Sequence, residues 1–154
     1  MTAVTQAVTR GKAGHPDEAR TQLAALWERV GPAGDPLHRV SIAHFLADLQ
    51  DDVRAELAWD ERALAAVGEL TDRRTEQHTA GLTVRGFLPS LHLNLADCHR
   101  RLGAATEARR HLAEAVSLLD ALADDAYGRL MRAAVDHVRD ALDAGSTDPL
   151  PTAP

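Results

Sequence analysis

The spacing of apolar side chains limits this chain to one kind of architecture. Ala19, Leu23, Leu26 and Val30 step by four, three and four residues. Ile42, Leu46, Leu49 and Val53 do the same, as do Leu91, Leu95, Cys98 and Leu102. Ala108, Leu112, Ala115 and Leu119 form a fourth stripe, and Met131, Val135, Val138 and Leu142 a fifth. Steps of three and four place each set along one side of a helix. Five such stripes predict helices packed on helices. Composition agrees: alanine and leucine supply 50 of the 154 residues, aromatics only 3%, and Ile42 is the one isoleucine. Helices favour Ala, Leu, Arg and Glu, whereas strands want β-branched and aromatic residues. The expected fold class is all-α, with about six or seven helices.

Breakers divide the stripes. Gly14-His15-Pro16-Asp17 and Gly31 to Pro36 interrupt any helix, and Asp17 or Asp35 can cap the next one. Asp51-Asp52 marks a tighter turn. Gly86 and Pro89 bracket another start, with proline tolerated in a first turn. Gly103 suits a left-handed helix end, and Thr106 or a neighbour opens the following helix. The polar span Gly68 to Arg85 reads as an extension or a short extra helix. Residues 145–154 hold three of the seven prolines without periodicity, so the expected organisation is a helical domain over 1–144 and a disordered tail over 145–154.

Charge and cysteine content exclude several classes. A net charge of −6 argues against a broad nucleic-acid footprint. The lone Cys98 rules out an internal disulfide and multi-cysteine metal motifs, and it suits a reducing cytoplasm. No leader-like or membrane-spanning apolar run is visible. Sixteen of seventeen basic residues are arginine, a bias expected of a GC-rich bacterial genome.

The chain also repeats itself. Gly14, Glu18, Ala19, Arg20 and Leu23 recur as Gly103, Glu107, Ala108, Arg109 and Leu112, all 89 residues later. Leu46-Ala47-Asp48 is echoed by Leu95-Ala96-Asp97, 49 residues on. Two intervals of this size fit three related helix pairs. Leu95-Ala96-x-x-His99, followed by Gly103, Ala108, Leu112 and Ala115, resembles the tetratricopeptide repeat, in its longer bacterial form, over roughly residues 3 to 142. His92 and His99 stand at that family's large aromatic positions. The resemblance implies an α-α superhelix of stacked hairpins whose small residues let paired helices approach. It further implies a concave groove that binds a protein or peptide partner. Ser41, His44, Asp48, Asn94, Asp97 and Arg101 are the expected groove residues. Their acidic balance favours a basic or neutral peptide over a C-terminal carboxylate. A short array with exposed ends can also pair with a second copy.

Chemistry-bearing patterns are sparse, and no cofactor is implied. His44, Asp48 and Asp97 form the alternative to a scaffold, a small-molecule, metal or catalytic site in the same groove. His92 and His99 share a helix face beside Cys98, but Cys98 falls on a leucine stripe, which favours core packing. His15, His38, His78, His111 and His137 fit no ligand spacing. Serines lack a glycine elbow and no Gly-rich loop precedes a helix, which disfavours hydrolase and kinase chemistry. The pairs Arg73-Arg74, Arg100-Arg101 and Arg109-Arg110 are interleaved with acids and read as solvated, salt-bridged faces. Trp27 and Trp59 are expected in inter-helix packing, with a contact anchor as the other reading. Gly86-Phe87-Leu88-Pro89 reads as a latch between hairpins or a lip of the groove.

Overall fold

In a computed structural model, residues 2–69 and 84–150 are described. The expected extra element after Gly68 falls mostly on 70–83, outside them. The described residues form seven α-helices and no strand: α1 (Thr2–Lys12), α2 (Pro16–Val30), α3 (Pro36–Ala47), α4 (Val53–Val67), α5 (Val84–Arg101), α6 (Ala105–Ser117) and α7 (Ala126–Asp143). A single 3-10 turn, Leu119–Ala121, precedes α7. The chain divides into two compact units, Met1–His78 and Thr79–Pro154.

In the first unit, α1 pairs with α2 and α3 with α4, while α2 packs on α3. Val4, Ala7, Leu23, Ile42 and Leu46 form its buried cluster. The first hairpin is tight because its contact residues are small. A Cβ added at Gly11 would lie 3.2 Å from the Ala19 Cβ. Trp59 of α4 meets Trp27 of α2 edge-on, ring centres 5.3 Å apart. Trp59 therefore covers the neighbouring hairpin, the packing role expected of it.

The second unit pairs α5 with α6, and α7 packs on both. Leu93, Ala96, Ala108, Leu112, Ala115, Val135, Val138 and Leu142 make its core. Cys98 is fully buried, as the leucine stripe requires.

The 89-residue repeat is a repeat of backbone geometry. At the end of α1, His15 N–H donates to Arg10 O and Gly14 N–H to Gly11 O. At the end of α5, Ala104 N–H donates to His99 O and Gly103 N–H to Arg100 O. Both are Schellman turns, and both put glycine at positive φ, +92° at Gly14 and +74° at Gly103. α2 and α6 then start at equivalent residues, Pro16 and Ala105. The equivalent arginines also do equivalent work. Arg20 donates to Leu49 O just beyond α3, and Arg109 pairs with Asp143 at the end of α7. Gly103→Ala should destabilise the second unit by about 1 kcal/mol, because an L residue resists this conformation. Urea titration of the variant checks the figure.

Several local expectations change. Asp35 caps α3, accepting from Leu37 and His38 N–H, but Asp17 lies inside the first turn of α2, where His15 holds the cap position. The stripe Ile42 to Val53 spans two helices: α3 stops at Ala47, and Asp52 caps α4 through Ala55 N–H. Helix α5 starts at Val84, so Gly86 and Pro89 lie within the helix and do not bracket its start. Pro89 only removes one bond, to the carbonyl four residues earlier. Asp48 and Asp97 are not equivalent either. Asp48 is the C-cap of α3, whereas Asp97 sits one turn before the end of α5.

The start of the tail is ordered by a specific anchor. Gly145 makes a third Schellman turn, with Ser146 N–H donating to Ala141 O and Gly145 N–H to Leu142 O. The turn aims the chain at Arg100. That guanidinium donates to Ser146 O at 2.7 Å and Asp148 O at 2.8 Å, and Leu150 packs on the core. Composition signals disorder for residues 145–150; a buried arginine overrides it.

Candidate functional site

The first unit contains a cavity of about 300 Å³ where α1, α2 and the end of α3 meet. Val8, Gly11, Ala19, Leu23, Phe45 and Leu49 line it, and Lys12 and Asp48 supply its polar rim. Its existence follows from the small residues of the first hairpin. Gly11 and Ala19 bring the helices close but offer no side chain to fill the space beside them.

The repeat shows what fills the corresponding space in the second unit. Gly11 corresponds to Arg100, Ala19 to Ala108 and Leu23 to Leu112. Arg100, only 2% exposed, is the largest fully buried side chain among the described residues. Its Nη2 pairs with Asp97 at 2.7 Å, and its remaining donors hold the tail. A separate small space of about 90 Å³ lies beside Arg100, Gly103, Leu142 and Ser146. One unit keeps an open apolar pocket; the other closes the equivalent position with an arginine and its own C-terminal segment.

The expected groove residues have varied surroundings. Ser41 is buried, and its hydroxyl donates to Leu37 O at 2.9 Å, a local bond that leaves nothing to display. Asp48 is exposed on the pocket rim. Asn94 is half-buried on α5. Asp97 pairs with both Arg100 and Arg101, the latter at 2.9 Å. His44 Nδ1 lies 3.8 Å from Asp60 Oδ1, too far for a hydrogen bond but well inside Coulomb range. Burial opposes the His44 imidazolium. The carboxylates of Asp60 and Asp48 outweigh it and raise the His44 pKa above its ordinary value. Within the units, Asp48 acts on His44 only through its charge, whereas Asp97 pairs directly with Arg101.

Two buried charges depart from the sequence expectation: Asp60, for which there was none, and Arg100, expected with Arg101 on a solvated face but only 2% exposed. Asp60 shares a face with Ala63 and Val67, all three buried. Arg100 continues the stripe of Leu93 and Ala96. Each is a charge at an apolar position of the helical period, a pattern that marks a buried, partnered ion. Elsewhere, among the described residues, Val116, Tyr127 and Leu130 are the exposed large hydrophobics. No helix among the described residues is long and apolar enough to cross a membrane. No family model, curated protein or solved structure matches this chain.

Proposed function

We propose that this chain is a non-catalytic protein-binding module, similar to tetratricopeptide-repeat adaptors of the bacterial cytoplasm, and that it takes an extended partner segment with an apolar anchor. The observation that carries this reading is the open pocket of the first unit, whose repeat-related counterpart is closed by the chain's own tail. Beside Arg100, the counterpart of Gly11, lies an extended segment of the chain itself, Ser146 to Asp148, which is the kind of occupant such a position accepts within this fold. A cavity of about 300 Å³ suits one or two apolar side chains. Asp48 on its rim favours a neighbouring basic group on the partner, and Lys12 orients it. Catalysis or metal binding by His44, Asp48 and Asp97 has less support, because Asp97 is committed to Arg100 and Arg101.

The test is selection of displayed linear peptides on the full-length chain. Enriched peptides should share a Leu, Met or Phe anchor. Leu49→Arg should lower their affinity at least about tenfold, a loss of roughly 1.4 kcal/mol. Asp48→Lys should select against basic residues beside the anchor. Circular dichroism should stay unchanged in both variants. Absence of enrichment, or equal binding by Leu49→Arg, would reject the pocket as the binding site.

A further inference from the structure

We infer that Lys12 reads charge at the first-unit pocket and selects a partner segment with an Asp or Glu side chain next to its apolar anchor. The inference rests on that pocket being the binding site. The register of the repeat runs well beyond the turn. Val4, Ala7 and Ile42 of the first core have Leu93, Ala96 and Met131 at the second, all at the same 89-residue interval. One wall of the pocket falls in this register. Val8, Gly11 and Lys12 of α1 stand where Asp97, Arg100 and Arg101 stand in α5.

The second unit shows what accompanies a cation at this place. Asp97 pairs with Arg101 at 2.9 Å and with Arg100 at 2.7 Å, so both guanidinium groups find a carboxylate within one turn of their own helix. In the first unit valine replaces that carboxylate, and α1 contains no acidic residue. The acids at the same end of the hairpin are taken, Glu18 by Arg10 and both Asp17 and Asp51 by Arg20. No hydrogen bond or ion pair among the described residues engages Lys12. Its ammonium is left on the rim of an apolar cavity without a counterion. A carboxylate brought in over Val8 takes the place beside Lys12 that Asp97 has beside Arg101.

Asp48 opposes a carboxylate and thereby limits where it can sit. It belongs to another wall, the end of α3, and its side chain acts within the unit only through its charge on His44. Repulsion from Asp48 confines the partner's acid to the α1 side of the anchor, and attraction places a base on the α3 side. A segment that meets both carries acid, apolar anchor and base in that order. The reversed segment sets like charges together, so the rim also fixes direction. Lysine suits the position. Its stem covers apolar wall while the ammonium reaches out as a mobile point charge. Lys12 is the chain's one lysine, so its amine can be addressed chemically by itself.

Selection from a displayed library of linear peptides on the full chain tests the assignment. Enriched peptides should carry Asp or Glu next to the anchor, on the side away from any basic residue. Lys12→Glu should exchange that acid for Lys or Arg and keep the anchor. Arg54→Gln, exposed on α4, should leave the pattern as it is. Replacing the acid of one enriched peptide by its amide should weaken binding to the unaltered chain about threefold to fivefold, and binding to Lys12→Gln not at all. A carbodiimide, which joins an amine to a carboxylate in contact with it, should couple the acidic peptide to Lys12, and Leu49→Arg should suppress the coupling. Anchored peptides with no preference for an acid, or an equal loss on amidation in Lys12→Gln, would overturn the inference and leave the pocket standing. No enrichment of any peptide would overturn both.

Discussion

Arg100→Ala should destabilise the second unit by about 3 kcal/mol and release the C-terminal segment. The substitution removes charge-assisted bonds to Asp97, Ser146 O and Asp148 O, each worth more than a neutral hydrogen bond. It also leaves a cavity where the largest buried side chain stood. The loss stays below the extreme for a broken buried pair, because Asp97 is partly exposed and keeps Arg101. Arg100→Lys should recover little, since an ammonium cannot span both carbonyls and the carboxylate with a planar fork. Asp97→Lys should act in the same direction by setting two like charges together. Urea unfolding gives the stability change, and hydrogen exchange at residues 146–150 reports the release. Unaltered exchange there in Arg100→Ala would mean that the tail is held by Leu150 alone.

Acidification should weaken the second unit by about 2 kcal/mol between pH 6.5 and 4.5, with His111 as the main cause. Its folded pKa of about 4 lies below the ordinary imidazole value of 6.5. Between those values the unfolded chain binds the proton more readily, so stability present above pH 6.5 is lost as pH falls towards 4. The full shift corresponds to roughly 3 kcal/mol. Solvent screening of the exposed Arg110 charge reduces it to the smaller figure. His92, also lowered, adds in the same sense. His44 works in the opposite direction. Its raised pKa stabilises the first unit fully below about 6.5, and that contribution disappears as pH rises through the folded value. Hydrogen exchange followed across pH should therefore show α6 losing protection in acid while α3 does not. In His111→Gln the acid loss at α6 should shrink by more than half; an identical loss would assign it to carboxylates elsewhere.

The elements themselves were legible because their signals are local. Each helical stripe is a run of three- and four-residue steps, and Gly14 and Gly103 announce turns that few other residues can make. The repeat was legible for the same reason: its five matching residues build one turn and the helix after it. Errors arose where a local signal was ambiguous. Leu49 continues the stripe of Ile42 and Leu46, yet the chain turns after Ala47, so apolar period alone could not separate α3 from α4. Pro89 reads as a helix start but is buried inside α5, where packing outweighs one missing hydrogen bond. In the tail, prolines and polar residues indicate disorder, and no composition rule registers an arginine 46 residues away.

The amino-acid order alone determined that this protein is all-α, built from hairpins with small residues at their crossings, because backbone periodicity and turn chemistry are written within a few neighbouring positions. Tertiary structure decided which charges are buried, which imidazoles meet and which repeat keeps an open pocket. Gly11 and Arg100 hold the same place in the repeat, and only the packing around each shows that one leaves a space and the other fills it. Such outcomes depend on helices brought together from distant parts of the chain, where a side chain's role is set by its neighbours in space.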